Sequence, residues 1–250
     1  MGDATTVTPV AGSTGGLGQA VTLVAGGTGG LGRAVSQAFL AAGATVAVTY
    51  RKRAEFDELR RLVGADAARL SGHESDVTDD ASARALVESV VRQQGRLDAL
   101  VNTVGGYGGG QKLWEIDRSL LERMLALNLY SGFALTRAAV PVMLKQRHGS
   151  IVNVAAKAAF THPAGAAAYA ASKAAALALI GSLAAEVAGS GVRVNSIVPS
   201  IFDTEANRRD MPHADFSKWP KPQDLARVVL FLCSDAAKSI HGAAIPVDAY

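Results

Sequence analysis

The sequence contains little cysteine and little proline. Its 250 residues include one cysteine, Cys233, and 8 prolines, whereas 49% of the residues are hydrophobic. A single cysteine cannot form an internal disulfide, and this usage is typical of a reducing compartment, so we expect a cytoplasmic protein. Cys233 ends an apolar run that starts at 228 and is predicted to be a small buried residue. The composition excludes collagen, disorder and coiled coil, and it predicts one globular domain.

Charge is also scarce and nearly balanced. Lys and Arg number 25 against 22 Asp and Glu, and the longest basic run is 51–53, so no basic stripe suited to nucleic acid is present. The first 32 residues lack the Lys and Arg of a secretory signal. The longest apolar stretch, 174–185, is too short to span a bilayer, and the 5 histidines have no metal-ligand spacing. We therefore expect no nucleic-acid, membrane or metal partner.

Short β-rich runs alternate along the chain with longer helical runs rich in Ala and Leu. The predicted strands are 22–25, 45–49, 68–71, 99–102, 150–154, 193–198 and 244–247. The predicted helices are about 30–41, 53–63, 79–94, 117–146, 166–188 and 222–233. This alternation predicts an α/β protein with a single Rossmann-type, doubly wound parallel sheet flanked by helices. We assign residues 20–250 to this dinucleotide-binding domain, with a substrate segment at 200–220, and residues 1–19 to an N-terminal extension without function.

A glycine-rich segment at 11–21 is repeated almost unchanged at 25–35. Only one copy can form the turn between the first strand and the first helix. The second copy follows an uninterrupted strand and opens a helical run, whereas the first follows Pro9 and its helix would be broken at 26–27. We therefore assign the working turn to the second copy.

Gly26, Gly30 and Gly32 have the spacing G-x-x-x-G-x-G within that second copy. Glycine lets the backbone turn tightly and approach a pyrophosphate, whose charge is met by the N–H groups and dipole of the helix start. Thr28 and Leu31 of the same turn join the predicted cofactor contacts. A plain tight turn is the alternative for the spacing alone, but the position after the first strand favours a dinucleotide site.

The end of the second predicted strand carries a cation rather than a carboxylate. Residues 46–50 run directly into Arg51, and no Asp or Glu stands there to bind the ribose 2′-hydroxyl of NAD. A cation at this point accommodates the 2′-phosphate of NADP. The sequence therefore favours NADP, with NADPH preferred over NADH. A solvated basic patch is the alternative interpretation.

Tyr169 and Lys173 lie four residues apart within the predicted helix 166–188. Residues at this spacing share one helical face, so the ammonium can lie near the phenol. A positive neighbour lowers the pKa of a tyrosine and makes it a usable proton donor near neutral pH. Such pairs also arise by chance in many helices, and an exposed pair is the alternative for this motif alone.

Together with Asn128 and the segments 100–105 and 194–200, these motifs make the chain resemble the short-chain dehydrogenase/reductase family over about residues 20–248. The resemblance implies that Tyr169 is the catalytic acid/base, that Lys173 binds the nicotinamide ribose and tunes the tyrosine, and that Asn128 holds a water of the proton relay. It also implies a small-molecule substrate and a homotetramer or homodimer, with helices 117–146 and 166–188 at the interface. The further cofactor contacts that it implies are Asp76, Val77, Asn102, Gly105, Pro199 and Thr204.

One position departs from the family pattern. Ala156 stands thirteen residues before Tyr169, where the family has its catalytic serine, so no hydroxyl is available there to polarise a ketone. The dihydropteridine reductases, a branch of the family, resemble the chain at this position and over 203–219. We therefore expect hydride transfer from NADPH to a C=O or a conjugated C=N or quinonoid acceptor. The further expected substrate contacts are Lys157, His162 and Trp114, for which solvated loop positions are the alternative.

Two alternative functions remain open from the sequence. The segments 228–235 and 242–248 resemble those of bacterial ketoreductases and favour a general 3-ketoacyl or ketone reductase. The missing serine favours a non-catalytic dinucleotide-binding sensor, although a sensor does not need the acid that Tyr169 would provide.

Overall fold

The computed structural model describes residues 15–248, and within them seven strands form one sheet. The strands are β1 (Val21–Ala25), β2 (Thr45–Tyr50), β3 (Leu70–Glu74), β4 (Ala99–Asn102), β5 (Gly149–Val154), β6 (Val192–Pro199) and β7 (Ala244–Val247). Their order is β3-β2-β1-β4-β5-β6-β7, and all neighbouring strands are parallel. The chain winds outward from β1 to β3 and then returns to the other side of β1 at β4, which confirms the predicted doubly wound fold.

Helices cover both faces of the sheet. They are α1 (Gly30–Ala41), α2 (Arg53–Leu62), α3 (Asp80–Gln94), α4 (Arg118–Leu125), α5 (Ser131–Gln146), α6 (Ala158–Thr161), α7 (Ala167–Glu186), α8 (Glu205–Asp210) and α9 (Pro222–Cys233). Helices α1, α2 and α9 pack on one face through side chains such as Phe39 and Leu59, and α3, α5 and α7 pack on the other through side chains such as Leu135. Because both faces are covered, consecutive strand residues such as Leu23 and Val24 are fully buried.

The predicted strands and helices all occur, and the largest differences in extent are at β3 and at the predicted helix 117–146. Strand β3 begins at Leu70, two residues later than predicted, because 3-10 turns occupy Gly64–Arg69. The predicted helix 117–146 is divided between α4 and α5 by a π-helical turn at Ala126–Tyr130. Helices α6 and α8 were not predicted, because they are too short to produce a periodic pattern.

The described end of the predicted N-terminal extension packs against the domain. Leu17–Gln19 forms one 3-10 turn, and Leu17 is buried in the core. The Gly15 carbonyl accepts a hydrogen bond of 2.9 Å from the Asp235 N–H. This turn directly precedes β1, at the amino ends of the strands, whereas the second glycine copy follows the carboxyl end of β1. Residues 1–14, which contain the start of the first glycine copy, lie outside the described residues.

Within residues 15–248, α7 is the one helix that is long and apolar enough, by length and composition alone, to cross a membrane. It has 20 residues, so the expectation that the apolar stretch is too short does not hold for the helix as it forms. The prediction was wrong because it counted only the stretch after Lys173. Some of the apolar side chains of α7, including Ile180 and Ala184, are buried in the core of this domain.

Candidate active site

The carboxyl ends of β1 and β4 lie side by side where the winding direction of the sheet reverses. Ala25 and Asn102 are partners in register at this point. In open α/β sheets such a switch point leaves a crevice in which ligands bind. The loop after β1 is the second glycine copy, and the loop after β4 is the glycine-rich segment 105–110. Both predicted cofactor loops therefore border one crevice.

The turn after β1 requires glycine at two positions. Gly26 has φ +74°, a left-handed conformation that glycine adopts without strain, and its N–H donates to Thr49 Oγ1 at 2.7 Å. A Cβ on Gly32 would overlap the Gly26 carbonyl oxygen. Gly29 is the N-cap residue of α1 and, having no side chain, caps none of the first N–H groups of this helix. The start of α1 therefore offers N–H donors to an anion.

Thr28 and Leu31 of this turn are buried. The Thr28 hydroxyl donates to Glu55 Oε2 at 3.2 Å. Glu55 lies in the first turn of α2, and its Oε1 is 4.0 Å from Lys52 Nζ. Glu55 was not predicted as a site residue, because it stands beyond the end of β2; its signal in the sequence is an acidic residue in the first turn of the helix that follows. A negative charge thus lies beside the glycine turn.

Arg51 and Asp76 line one cleft of about 580 Å³ at the ends of β2 and β3. Ser75 lines the same cleft, and its buried Oγ has no hydrogen-bond partner within the described residues. Hydrogen bonds from Thr78 hold the pKa of Asp76 below its ordinary value, and the charge of Arg51 lowers it further. The side chain of Val77 is buried in the core instead.

Two asparagines organise the loop after β4. Asn102 Nδ2 donates to Asn153 Oδ1 at 3.2 Å. Asn128 lies in the π-helical turn, where it accepts from Gly106 N and donates to Gly106 O, both at 3.0 Å. Asn128 Nδ2 also donates to Ser172 Oγ at 3.0 Å and so ties the loop to α7. These bonds join the loop to the helix; the water-binding role of Asn128 stays a prediction.

Tyr169 and Lys173 lie one turn apart on α7, next to this loop. Lys173 is buried, and its Nζ donates to the Val154 carbonyl at the end of β5 at 2.9 Å. A Cβ added at Gly105 would lie 3.1 Å from Lys173 Nζ, so glycine leaves room for the ammonium. Burial lowers the pKa of Lys173 to about 8. The ammonium therefore lies in the crevice between the loops that follow β4 and β5.

The pKa of Tyr169 differs from the expectation. Burial and, to a smaller extent, the nearby Tyr107 together raise it to about 12. Lys173 directs its ammonium at the Val154 carbonyl, and its effect on the phenolate is smaller than the cost of removing the phenol from water. The prediction of a lowered tyrosine pKa is therefore wrong.

Tyr107 is a residue of this crevice that the sequence analysis did not select. Its ring stands edge-on to that of Tyr169, with the centroids 5.1 Å apart and the planes at 72°. Its side chain is exposed, so it borders the crevice on the solvent side. An aromatic residue inside a run of glycines that follows a central strand is the signal that would have found it.

The predicted substrate contacts lie at different places around the end of β5. Ala156 is buried directly after this strand, and its side chain brings no polar group to the site. Lys157 Nζ is paired with Asp248 at 2.9 Å. His162 is exposed with φ +46°, and Trp114 is 79% exposed. Within residues 15–248 no hydrogen bond or ring contact joins Tyr169 to Lys157, His162 or Trp114, so their substrate roles stay predictions.

The segment after β6 reaches across to the glycine turn. Pro199 is buried at the end of β6, and its carbonyl accepts from Lys157 N at 2.9 Å. Thr204 is the N-cap residue of α8, where its Oγ1 accepts from Asn207 N at 3.1 Å. A Cβ added at Gly30 would lie 2.9 Å from Thr204 Cγ2. Two predicted cofactor-binding segments, distant in sequence, therefore meet over the start of α1.

This arrangement is similar to that of known oxidoreductases. A family model described as enoyl-(acyl carrier protein) reductase matches residues 25–249. The 3-oxoacyl-[acyl-carrier-protein] reductase FabG of Thermotoga maritima is 31% identical over 218 residues, which cover 84% of this chain and 88% of that reductase. The 7α-hydroxysteroid dehydrogenase of Escherichia coli K12 is 31% identical over 224 residues, which cover 84% of this chain and 85% of that enzyme.

Solved structures share the whole fold. A short-chain type dehydrogenase/reductase from Mycobacterium ulcerans is 28% identical to this chain, with a TM-score of 0.86. The match covers 92% of this chain and 88% of the other chain. NADP-bound ElxO has a TM-score of 0.87, and the match covers 92% of this chain and 97% of the ElxO chain. NAD⁺-bound xylitol dehydrogenase has a TM-score of 0.85, and the match covers 93% of this chain and 98% of the dehydrogenase chain. Both are 24% identical to this chain and show the fold alone.

Proposed function

The chain belongs to the short-chain dehydrogenase/reductase family and is an oxidoreductase of that type, and on this basis we propose that it reduces a small-molecule acceptor with NADPH, using Tyr169 as proton donor. The observation that carries the proposal is the position of Tyr169 and Lys173 beside the crevice that the glycine turn borders. A protein that only sensed the dinucleotide would not need an acid at this position. Membership of a family of oxidoreductases supports the same choice.

The residues of the crevice fit a nicotinamide dinucleotide. The N–H groups at the start of α1, where Gly29 caps none of them, would hold the pyrophosphate. The adenosine would lie at the cleft of Arg51 and Asp76, where Ser75 Oγ lacks a partner within the described residues. Lys173 would bind the nicotinamide ribose. When bound, the dinucleotide supplies the hydride.

Two charged side chains act in opposite directions on the choice between NADPH and NADH. The Arg51 guanidinium would attract the 2′-phosphate of NADPH. Glu55, held against Thr28, would repel that phosphate and could instead accept a bond from a ribose 2′-hydroxyl. We assign the preference to NADPH because Arg51 lines the cleft at the end of β2, whereas Lys52, 4.0 Å from Glu55, offsets part of the charge of that carboxylate.

Tyr169 would hold the proton that completes the reduction. With its pKa raised to about 12, the phenol is protonated at neutral pH and can donate to an oxygen or nitrogen on which negative charge develops. The Lys173 ammonium would stabilise the phenolate as it forms. At neutral pH the protonated phenol that reduction requires therefore predominates over the phenolate that the reverse reaction requires.

The substrate proposed here is an electron-poor acceptor, such as a quinonoid dihydropterin or a related conjugated imine or quinone. Ala156 brings no hydroxyl to polarise an ordinary ketone, whereas a conjugated acceptor takes hydride with less assistance. The likeness of 203–219 to dihydropteridine reductases points the same way. The similarity to FabG supports the second candidate, a general ketone or 3-ketoacyl reductase.

The test measures NADPH oxidation with quinonoid dihydropterin, a β-ketoacyl ester and an aryl ketone, in the wild type and in Tyr169→Phe. We expect the variant to bind NADPH normally and to lose about 10²–10⁴-fold in kcat, the contribution typical of a positioned general acid. Tyr107→Phe is the matched control, which removes a neighbouring phenol hydroxyl and should retain most of the activity. Full turnover in Tyr169→Phe would refute the assignment of the proton donor.

We also propose that the protein is a cytoplasmic homodimer or homotetramer. Its single cysteine, Cys233, is buried, which suits a reducing compartment. Phe133 and Leu144 of α5 are exposed, although both are large and apolar, and they support the predicted interface on α5 and α7. Native mass spectrometry would measure the oligomeric state, and a monomer at micromolar concentration would contradict this proposal.

A further inference from the structure

An ion-pair cluster joins the two ends of the segment that follows β6. Asp203 is 9% exposed, and its carboxylate accepts two bonds from the Arg208 guanidinium, at 2.5 and 2.8 Å. The same carboxylate accepts a bond of 2.5 Å from Lys221 Nζ, at the start of α9. The backbone N–H of Asp203 donates to the Pro220 carbonyl at 2.9 Å. We call Asp203, Arg208 and Lys221 the Asp203 clamp.

The clamp also orders the segment between its ends. Arg208 places its guanidinium 4.8 Å from the centroid of the Phe216 ring. The Phe216 ring in turn lies 5.0 Å from that of Trp219. Asn207 Nδ2 donates to the Phe202 carbonyl at 2.8 Å. The clamp thus joins the two ends of this segment, and through Arg208 it is connected to the Phe216–Trp219 pair.

The residue next to the clamp touches the glycine turn. Thr204 follows Asp203 directly in the sequence. A Cβ added at Gly30 would lie 2.9 Å from Thr204 Cγ2. One planar peptide bond joins Asp203 and Thr204, so the ion pairs of Asp203 restrict the positions that Thr204 can take. The clamp and the contact with the start of α1 are therefore neighbours along the chain.

We propose that Asp203 is a positioning residue for the dinucleotide: by pairing with Arg208 and Lys221 it holds Thr204 over the glycine turn and keeps the segment 203–221 closed on the crevice. This inference rests on the proposed function, because it concerns the same binding site. It predicts that opening the clamp weakens dinucleotide binding without touching the proton donor.

The clamp can be opened without leaving a buried charge unpaired. Hydrogen bonds from Arg208 and then from Lys221 hold the pKa of Asp203 well below its ordinary value. The side chains of Arg208 and Lys221 are 48% and 52% exposed, so water can solvate both cations when the carboxylate is replaced. In Asp203→Asn the amide keeps the size of the side chain but cannot neutralise two cations. We therefore expect this variant to fold.

The experiment measures the dissociation constant of NADPH by fluorescence titration, together with kcat at saturating NADPH. For Asp203→Asn we expect the dissociation constant to rise about 10-fold or more, because loss of the charge-assisted bonds lowers the fraction of molecules with a closed segment to about a tenth or less and the apparent constant rises in proportion. We expect kcat to fall less than about 3-fold, because Tyr169 and Lys173 are not displaced. Asp203→Glu retains the carboxylate and should recover most of the affinity.

Asp98→Asn is the matched control. Asp98 is also buried, and it accepts a bond of 2.6 Å from Arg96 and a bond of 2.8 Å from Val21 N. It lies before β4, at the amino ends of the strands, whereas the crevice lies at their carboxyl ends. Asp98→Asn should lower the free energy of unfolding and leave the dissociation constant of NADPH unchanged. A third measurement is independent of the dinucleotide: trypsin should cleave Asp203→Asn after Arg208 and Arg209 faster than it cleaves the wild type or the control.

The outcomes separate this inference from the proposed function. Wild-type affinity in Asp203→Asn, or an equal loss of affinity in Asp98→Asn, would overturn the positioning role. A wild type that binds neither NADPH nor NADH would overturn the proposed function and this inference together. In that case, faster tryptic cleavage of Asp203→Asn would still identify the clamp as a purely structural device.

Discussion

Replacing Lys173 by methionine should change the way in which stability depends on pH. Burial lowers the pKa of Lys173 from 10.5 to about 8, so the native lysine loses its proton before the unfolded one does. Between these two values the unfolded chain binds more protons than the native one, and the free energy of unfolding rises with pH. The destabilisation caused by burying the ammonium is thus fully present below pH 8 and is relieved as pH approaches 10.5.

The magnitude follows from the width of this window. Each pH unit in it contributes about 1.4 kcal/mol, so the wild type should gain about 3 kcal/mol across it relative to Lys173→Met. Tyr169 acts in the opposite sense at higher pH, because its pKa is raised from 10.0 to about 12 and the unfolded phenol ionises first. Both proteins contain Tyr169, so its contribution largely cancels from the difference.

Urea unfolding of both proteins at about pH 7 and about pH 10 measures this difference. Between these two pH values the free energy of unfolding of the wild type should rise by about 2.5 kcal/mol relative to that of Lys173→Met, because the higher pH lies just short of the end of the window. Lys145→Met, at an exposed position of α5, is the matched control and should follow the wild type. If the wild type and Lys173→Met change in parallel, Lys173 does not have the lowered pKa and the reasoning fails.

Three further predictions concern the cofactor and the substrate. Arg51→Ala should lower the preference for NADPH over NADH by about 10-fold or more, since a charge-assisted bond contributes roughly 1.5–3 kcal/mol. Glu55→Gln should raise this preference. Equal preferences in the wild type and the two variants would contradict both roles. Gly30→Val should prevent dinucleotide binding because its side chain would stand at the start of α1, where the pyrophosphate would lie, and its Cβ would also be 2.9 Å from Thr204 Cγ2. Deletion of residues 2–14 should leave the dissociation constant unchanged. The reverse pair of results would assign the phosphate site to the upstream glycine copy. Ala156→Ser should raise kcat/KM for simple ketones more than for quinonoid dihydropterin, and a wild type that reduces ketones well while ignoring the pterin would refute the substrate proposal.

The order of strands and helices could be predicted from the sequence because it depends on local patterns. Strands buried on both faces are continuous apolar runs, and β1 begins such a run directly before the second glycine copy. The glycine turn was predictable for a related reason: the left-handed φ of Gly26 and the close packing at Gly32 admit no side chain. The spacing of Tyr169 and Lys173 likewise places both on one face of α7.

What the tertiary structure decided is which groups meet and how much water each of them loses. Lys221 reaches Asp203 across 18 residues, and Glu55 reaches Thr28 across 27, and no local pattern marks either pairing. The pKa of Tyr169 was predicted in the wrong direction because the charge of Lys173 can be read from the helix spacing, whereas burial of the phenol cannot. Desolvation depends on groups from several distant segments that exclude water together, and it exists only in the folded chain.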